Sequence, residues 1–536
     1  MFERHRIKVV LFSMLMLALF ASLPAPVAGG MKPGYQMYAI PAFSRQYGTS
    51  CSTCHVDFPK LNDFGKAFKD AGFKFPKDDE TFIKVPPVML GSPAQKELWP
   101  HTIWPGSIPG LPPIGLRFNT FFQVVSANRN NFQLQNPGDP TAPFVPRTDF
   151  QSGLFSIFMA GNFGDDIAFW VDDDISVGGA NSNGGLGDGY LKFVNIGRHM
   201  KLPTDAFSLR VGQFELDLPF SPARSWNLSG WDIYDQANIG TVNSVLGLPT
   251  VSNSFAMSNA AQGVEFSGGH NYGGYHYSLA IVNQNTGGTP GAGNNVPPEV
   301  GYTSDSNFKD IYGRLSYRFN LERDPASRNE IQAAGAAGPR DHTYLNLGTL
   351  YFYGRSVQRF QGQDSSGAQA VLTAREPFYR VGGDFSFNYH AFNLFGQYLY
   401  GHDQNLLPLV PAGLPLPTGF LRGSPATFGG GFLEADYLAL PWLMTIMRWD
   451  AVHSTADLFN GIAATPDNDA GSFVSPFRAT RNRFTPGIQF LIHANIKASF
   501  EYQVRPQQIV YDPATGKPIT GAFRTNSAIA GLEFVY

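Results

Sequence analysis

The chain has only two cysteines, and both fall in one five-residue run, Cys51-Ser52-Thr53-Cys54-His55. C-x-x-C-H is the attachment pattern of a c-type haem. Two thiols at this spacing match the two vinyl groups along one porphyrin edge and form thioethers to them. The histidine that follows then passes under the iron as proximal ligand. A disulfide or a thioredoxin-type C-x-x-C needs no histidine, and the latter belongs beside a βαβ pattern not seen here. A zinc centre wants about four ligands, and no further cysteine exists to complete one. The expectation is one covalent haem c on Cys51, Cys54 and His55.

The second axial ligand and the burial of the group set its potential. Met89, in Val85-Pro86-Pro87-Val88-Met89-Leu90, follows the motif at a distance that lets the chain cross to the other haem face. It is the leading distal candidate, and His/Met ligation would raise the potential. Met37 and His101 are rivals, and an open or water-bound position stands beside them.

The motif has little around it that can form a core. Asp57 as cap, Pro59 in the first turn and an apolar stripe of Leu61, Phe64, Phe68 and Ala71 predict a short helix that Gly72 ends. The stripe suits packing on the haem or on a wall. Before it lies a basic stretch (Arg4, His5, Arg6, Lys8), an apolar run from Val9 to Leu23, and small residues at Ala28 to Gly30. That is the pattern of a secretory signal peptide over 1–30. Residues 31–83 then form the monohaem segment. From Lys84 to Pro113 eight prolines mark an extended connector over 84–113.

From Ile114 to the end, over 114–536, the period changes to two. Leu116, Phe118, Phe122 and Val124 alternate with Arg117, Asn119 and Gln123. Sixteen such segments are visible, near 114–126, 150–162, 165–177, 186–197, 206–216, 261–268, 274–284, 308–320, 343–354, 376–387, 390–401, 427–438, 441–453, 481–492, 495–505 and 523–536. Short connections, such as Phe163-Gly164 and Asn388-Tyr389, alternate with long ones, such as 217–260 and 454–480. The stretch 178–185 is short for its place and 321–342 long. Outer-membrane barrels show this rhythm, with short periplasmic turns and long extracellular loops. An even count with the first loop long puts both termini in the periplasm.

Composition agrees. Only 15% of the 536 residues are charged, 14% are aromatic and 58 are glycine, where a soluble domain carries about 25% charged residues. The net charge of -3 speaks against nucleic acid, whose binders carry a basic face. No run after residue 30 is apolar enough for a spanning helix. The fold class expected is all-β: an antiparallel transmembrane β-barrel of about sixteen strands, with a small helical haem domain at its N-terminus as plug. Inward polar candidates are Arg117, Lys192, Arg210, Arg314, Arg318, Arg380 and Asp384. Acidic loop residues Asp457, Asp467 and Asp469 are most simply solvated carboxylates. No nucleotide loop, zinc signature or triad is visible.

The run Pro41-Ala42-Phe43-Ser44-Arg45-Gln46-Tyr47-Gly48-Thr49-Ser50, then the haem motif, then Phe58-Pro59-Lys60-Leu61-Asn62-Asp63-Phe64-Gly65-Lys66-Ala67-Phe68-Lys69, resembles the haem segment of the fused monohaem cytochrome–porin proteins. These include the outer-membrane iron-oxidising cytochromes. The close match covers about residues 40–75, the architecture the whole chain. After the haem histidine this chain reads Val56-Asp57-Phe58, a departure from the Gln-His-Phe-like stretch of members close to the iron oxidases. The resemblance implies a haem in or at the mouth of a porin, carrying electrons across the outer membrane, with Cys51 and Cys54 as attachment residues and His55 as axial ligand.

The function expected is an outer-membrane electron conduit between an extracellular donor, Fe(II) among them, and periplasmic cytochromes or other carriers. The reverse direction, to an external acceptor, stands open. The chemistry is one-electron transfer and belongs to the cofactor. The alternative is a diffusion porin for anions or small solutes, with the haem segment as gate or periplasmic carrier. Porins of this size are often homotrimers.

Overall fold

The computed structural model describes residues 42–57, 59–75, 88–89, 97–98, 107–108, 114–125, 147–163, 166–176, 185–203, 205–221, 225, 227–236, 257, 260–283, 308–321, 343–404, 406–422, 425–454, 479–493, 495–504, 510–511, 518–519 and 526–536. All of them belong to the compact unit Ile40–Tyr536. The expected signal peptide, Met37, His101 and the acidic residues Asp457, Asp467 and Asp469 lie outside the described residues.

The N-terminal segment opens with helix α1 (Ala42–Tyr47). A single 3-10 turn follows at Cys51–Thr53. Then come a two-stranded hairpin of β1 (His55–Asp57) and β2 (Lys60–Leu61) and helix α2 (Asp63–Asp70). In the Pro-rich stretch β3 (Val88–Met89) pairs with β4 (Ser107–Ile108).

After these the chain winds β5 (Ile114–Val125), β6 (Arg147–Phe163), β7 (Ile167–Ser176), β8 (Gly185–Phe193), β9 (Ser208–Phe214), β10 (Ala261–Gly269), β11 (Gly274–Val282) and β12 (Asp310–Asn320). Next come β13 (Tyr344–Gln363), β14 (Gln369–Tyr389), β15 (Phe392–Asp403), the small pair β16 (Leu406–Leu409) and β17 (Gly419–Arg422), β18 (Ala426–Leu440) and β19 (Leu443–Ser454). The chain ends with β20 (Ala479–His493), β21 (Ile496–Gln503), the pair β22 (Val510–Tyr511) and β23 (Pro518–Ile519), and β24 (Ser527–Val535). Apart from the two small pairs, strands β5 to β24 form one closed antiparallel barrel of sixteen, sealed where β24 lies beside β5, Phe534 across from Phe118. Closure leaves no free sheet edge.

The residues choose the register. On β12, Asp310, Tyr312, Arg314, Ser316 and Arg318 are buried, while Ile311, Leu315, Tyr317 and Phe319 are exposed. A slip of one residue would turn five polar or hydroxyl-bearing groups outward and an apolar row into the lumen. The same inversion recurs around the wall: Leu279, Leu347, Leu433 and Met447 face out. Exposed aromatics gather near the short turns at Tyr275, Phe319, Tyr389, Tyr437, Trp442 and Tyr536. An apolar outer band with an aromatic girdle is the surface a lipid-embedded barrel presents.

All sixteen expected strands exist. One stretch differs: 355–363 and 369–375 continue the ladder where a connection is expected, because β13 and β14 stay paired from Tyr344–Asn388 to Gln363–Gln369. Beyond the lipid neither face of a strand has to be apolar, so the period-two signal fades there while the backbone pairing continues. Asp364 closes that hairpin by accepting from the backbone N–H groups of Ser366 and Ala368, with Gly367 at φ 86°.

Candidate functional site

Helix α2 begins five residues later than its sequence predicts, because Asp57 ends a strand and does not cap the helix. Its cap is Asn62, whose Oδ1 accepts the Gly65 N–H at 2.8 Å, and Pro59 sits in the turn between β1 and β2. The reason is that Asn62 does two tasks: its Nδ2 also donates to the Thr53 carbonyl at 3.0 Å. Its backbone N–H donates to the Cys54 carbonyl at 2.9 Å. The first turn of α2 is thereby laid against the C-x-x-C-H loop. A methyl at position 65 would stand 2.1 Å from the Cys54 carbonyl oxygen, so the approach requires Gly65.

Cys51 and Cys54 are free thiols in this loop. Burial pushes the Cys54 thiol up to about 12, and raises that of Cys51. A redox C-x-x-C works through a low-pKa thiolate, so this environment disfavours that chemistry. Burial also lowers the His55 imidazole to about 4, against the opposing pull of the Pro59 and Lys60 carbonyls. His55 Nδ1 lies 3.2 Å from the Pro59 carbonyl oxygen. A carbonyl only accepts, so Nδ1 carries the proton and the lone pair sits on Nε2. A neutral ring fixed this way by a backbone carbonyl is how proteins prepare a histidine for a metal. The donor set therefore fits a c-type haem: two thiols for the vinyl groups and one oriented, neutral imidazole for iron. Of the distal candidates, Met89 is placed only by its backbone, which pairs with Ser107.

The segment sits in the short-turn mouth of the barrel. Tyr47, Phe68 and Phe73 pack with Ala160, Ala168 and Val194 of the wall, joined by Phe43, Phe75 and Trp170. Ring centroids are 5.0 Å apart for Phe43–Phe68, 4.4 Å for Tyr47–Phe75 and 5.7 Å for Phe73–Trp170. Each such pair adds about 0.5–1.5 kcal/mol beyond its burial. On the opposite side Val56 packs on Leu438, Met444 and Ile446. Polar ties complete the docking. Arg318 holds Asp63, Lys60 donates to Asn393 at 3.0 Å and lies 3.6 Å from Asp436, and Arg45 bonds the Ile114 carbonyl. Between plug and wall lies a small cleft lined by Lys60, Lys66, Tyr344, His390, Asp436 and Met444 among others.

The inward charged residues form pairs. Arg117 meets Glu533, Arg210 meets Glu265, Arg314 meets Asp384 at 2.7 and 3.0 Å, and Arg380 meets Asp403. Lys192 stands across from Arg210 on the neighbouring strand.

A second occupant of the lumen is not foreseen by the sequence reading. After β9 the chain folds inward, and the described residues 215–221, 225 and 227–236 form a strap across the barrel ending in the short helix α3 (Asp232–Gln236). Wall residues hold it on several strands. Glu501 accepts the Leu228 and Ser229 N–H groups at 2.5 and 3.2 Å. Arg448 donates to Ser229, and Arg483 to the Gly230 carbonyl and Asp232. Glu434 accepts from Asn227 and from Trp231 Nε1 at 2.7 Å. Asp217 pairs with His276 at 2.9 Å, and this histidine and the Arg314 guanidinium outweigh burial to hold its carboxyl far below the carboxylate range. Leu216, Leu218, Trp231, Ile233 and Tyr234 then join Phe352, Phe378, Phe395, Phe428 and Phe432 of the wall in one buried apolar cluster. A signal for this existed: 216–234 is too rich in large apolar residues for a solvated loop.

Strand β18 shows the layering. Phe432 and Glu434 meet the strap, whereas Asp436 and Leu438 meet the plug. Two residues of strand rise span about 7 Å, so strap and plug lie one pleat apart.

No protein-family model and no curated protein matches the chain. Similar solved structures include the anion-selective porin from Comamonas acidovorans, with 11% identity, TM-score 0.42, and coverage of 79% of this chain and 98% of that one. OmpF of Salmonella typhi in complex with daunomycin has 9% identity and TM-score 0.44, over 79% of this chain and 97% of that one. OmpT of Vibrio cholerae in its trimer form has 9% identity and TM-score 0.40, over 79% and 98%. On its own geometry, the even strand count, the alternating connections and the apolar outer band make this a porin-like barrel of the outer-membrane kind.

Proposed function

We propose that the chain is an outer-membrane electron conduit, a member of the fused monohaem cytochrome–porin family, with one covalent haem c on Cys51, Cys54 and His55. It moves single electrons between an extracellular donor, Fe(II) being the first candidate, and periplasmic carriers. The observation that carries this reading is the Nδ1–H bond of His55 to Pro59, made within a segment wedged in the barrel mouth. When bound, the group supplies reversible one-electron chemistry, so no acid, base or nucleophile is needed. The chain supplies the rest. Asn62 and Gly65 hold the attachment loop, and Asp63 and Lys60 moor it to the wall. The strap and its aromatic layer bury an apolar cluster in the mid-lumen. The short-turn end, which holds the plug and Tyr536, faces the periplasm.

The test uses protein from cells with a working cytochrome c maturation system. Denatured protein should retain haem stain, and anaerobic Fe(II) should reduce the reconstituted protein's absorption bands. Absence of covalent haem overturns the reading. Covalent haem that Fe(II) fails to reduce removes iron as donor.

A sixteen-stranded wall ordinarily encloses an aqueous channel, and buried arginines at 210, 314 and 380 line this one. These favour a second reading, a solute or anion porin with the haem segment as gate or carrier. Solute flux through bilayers separates the two: a conduit shows little, a porin much.

A further inference from the structure

We propose that the aromatic column in the lumen is the electron path between the long-connection end and the His55 hairpin. The proposal rests on the haem reading above.

The contacts are continuous. The His55 ring is bonded to the Pro59 carbonyl. The next residue, Lys60, lays its ammonium 4.9 Å from the centre of the Phe395 ring. Phe395 lies 6.5 Å from Trp231 and 6.1 Å from Phe432, centroid to centroid. Trp231 stacks on Phe432 at 4.7 Å with an interplanar angle of 16°. Phe428, two residues inside the outer end of β18, belongs to the same buried cluster and lies four residues along the strand from Phe432. The strap hydrogen bonds hold Trp231 in this stack, through Nε1 to Glu434.

This column answers a difficulty of the conduit reading. The strap that excludes solutes also stands between an external donor and the plug. Tunnelling probability falls steeply with distance and more steeply across gaps than through packed atoms, and protein interiors are close-packed. The stacked rings and one hydrogen-bonded turn give the electron packed atoms from Trp231 and Phe432 to the His55 hairpin. The balance would be one electron lost by the donor and one gained by the haem held on Cys51, Cys54 and His55, with the rings left unchanged and no proton moved.

The test uses full-length holoprotein in vesicles captured through a tag in the 364–368 hairpin, so that long connections face out. A membrane-impermeant ferrous chelate is added outside. Trp231→Leu and Phe395→Leu should each slow haem reduction about tenfold, with absorption spectrum, midpoint potential and solute flux unchanged. Reduction by a donor enclosed on the plug side should keep its rate. Trp231→Phe, which keeps a ring, should recover much of the loss. An external rate within about twofold of the parent, an equal loss from both sides, or no difference between Phe and Leu at 231 overturns the path. If Trp231→Leu opens the lumen to solute, Phe395→Leu decides, because that residue belongs to the wall. Absence of covalent haem in the parent protein defeats the proposed function instead, and is read before any rate is measured.

Discussion

Arg318 of the barrel wall and Asp63 of the plug meet in a two-pronged ion pair, Nη1–Oδ1 at 2.7 Å and Nη2–Oδ2 at 2.6 Å, although 255 positions separate them. Both side chains are buried, and the guanidinium lies 3.6 Å from the centre of the Tyr344 ring. Parallel N–H···O bonds of this kind are among the strong ones. The carboxylate also stands in the first turn of α2, where the helix dipole favours negative charge. Breaking one half of a buried pair costs about 3–5 kcal/mol, because the other charge stays uncompensated. Arg318→Met should therefore loosen the plug, and adding Asp63→Asn should recover part of the loss. Limited proteolysis within 42–75 reads this out, and unchanged resistance in Arg318→Met would show that the pair does not hold the plug.

The same pair sets an acid limit. Burial alone would raise the Asp63 carboxyl, but Lys66 and Arg318 beside it override this and hold it at about 2, against 3.8 for a free aspartate. Because the docked value is the lower one, the contribution to docking is complete above about pH 4. It is lost as pH falls through about 2, and amounts to about 2–3 kcal/mol. The plug should resist protease at pH 4 and still at pH 3, and release near pH 2. In Asp63→Asn this step should vanish. A parent protein that sheds its plug at pH 5 would contradict the assignment.

Gly65→Ala should act on the haem motif eleven residues upstream. The added methyl would lie 2.1 Å from the Cys54 carbonyl oxygen and 3.0 Å from a Leu61 methyl. Neither is the loose end of a long side chain, so α2 must back away. That breaks the Asn62 bonds to Thr53 and Cys54, at about 1 kcal/mol or more each for the buried groups left unmet. Less covalent haem per barrel in Gly65→Ala, measured by haem stain against total protein, is the expected result. Full haem content with a normal spectrum would mean that the contact is slack.

The barrel was legible because lipid and lumen impose opposite polarity on alternate residues, and β12 shows this without exception from Asp310 to Phe319. The outer halves of β13 and β14 were not, since water on both faces removes that constraint. Cys51, Cys54 and His55 were readable from spacing, but Asn62 and Gly65 were not. Their roles depend on how closely a helix approaches a carbonyl, which spacing does not encode. The inward arginines were recognised singly, yet their partners, such as Glu265 for Arg210 and Asp403 for Arg380, come from strands set by register and closure. The place of the strap is not legible in the sequence, because it follows from contacts with β18 to β21, on the far side of the lumen from β9.

The strap yields the last prediction, on permeability. Glu501 takes the N–H groups of Leu228 and Ser229, and Glu434 takes Asn227 and Trp231. These side-chain oxygens satisfy buried donors that would otherwise face an apolar cluster, and leaving such a donor unmet costs about 1–3 kcal/mol. With Glu434→Ala and Glu501→Ala combined, the strap should lift from the β18–β21 wall and open the mid-lumen to water. Single-channel conductance in planar bilayers should rise well above that of the parent, while haem content stays the same because the plug has its own moorings at Asp63 and Lys60. Deleting 42–75 while keeping the strap should raise conductance far less. The reverse order, with plug loss opening the barrel and strap loss leaving it closed, would place the solute barrier in the plug and return the strap to a packing role.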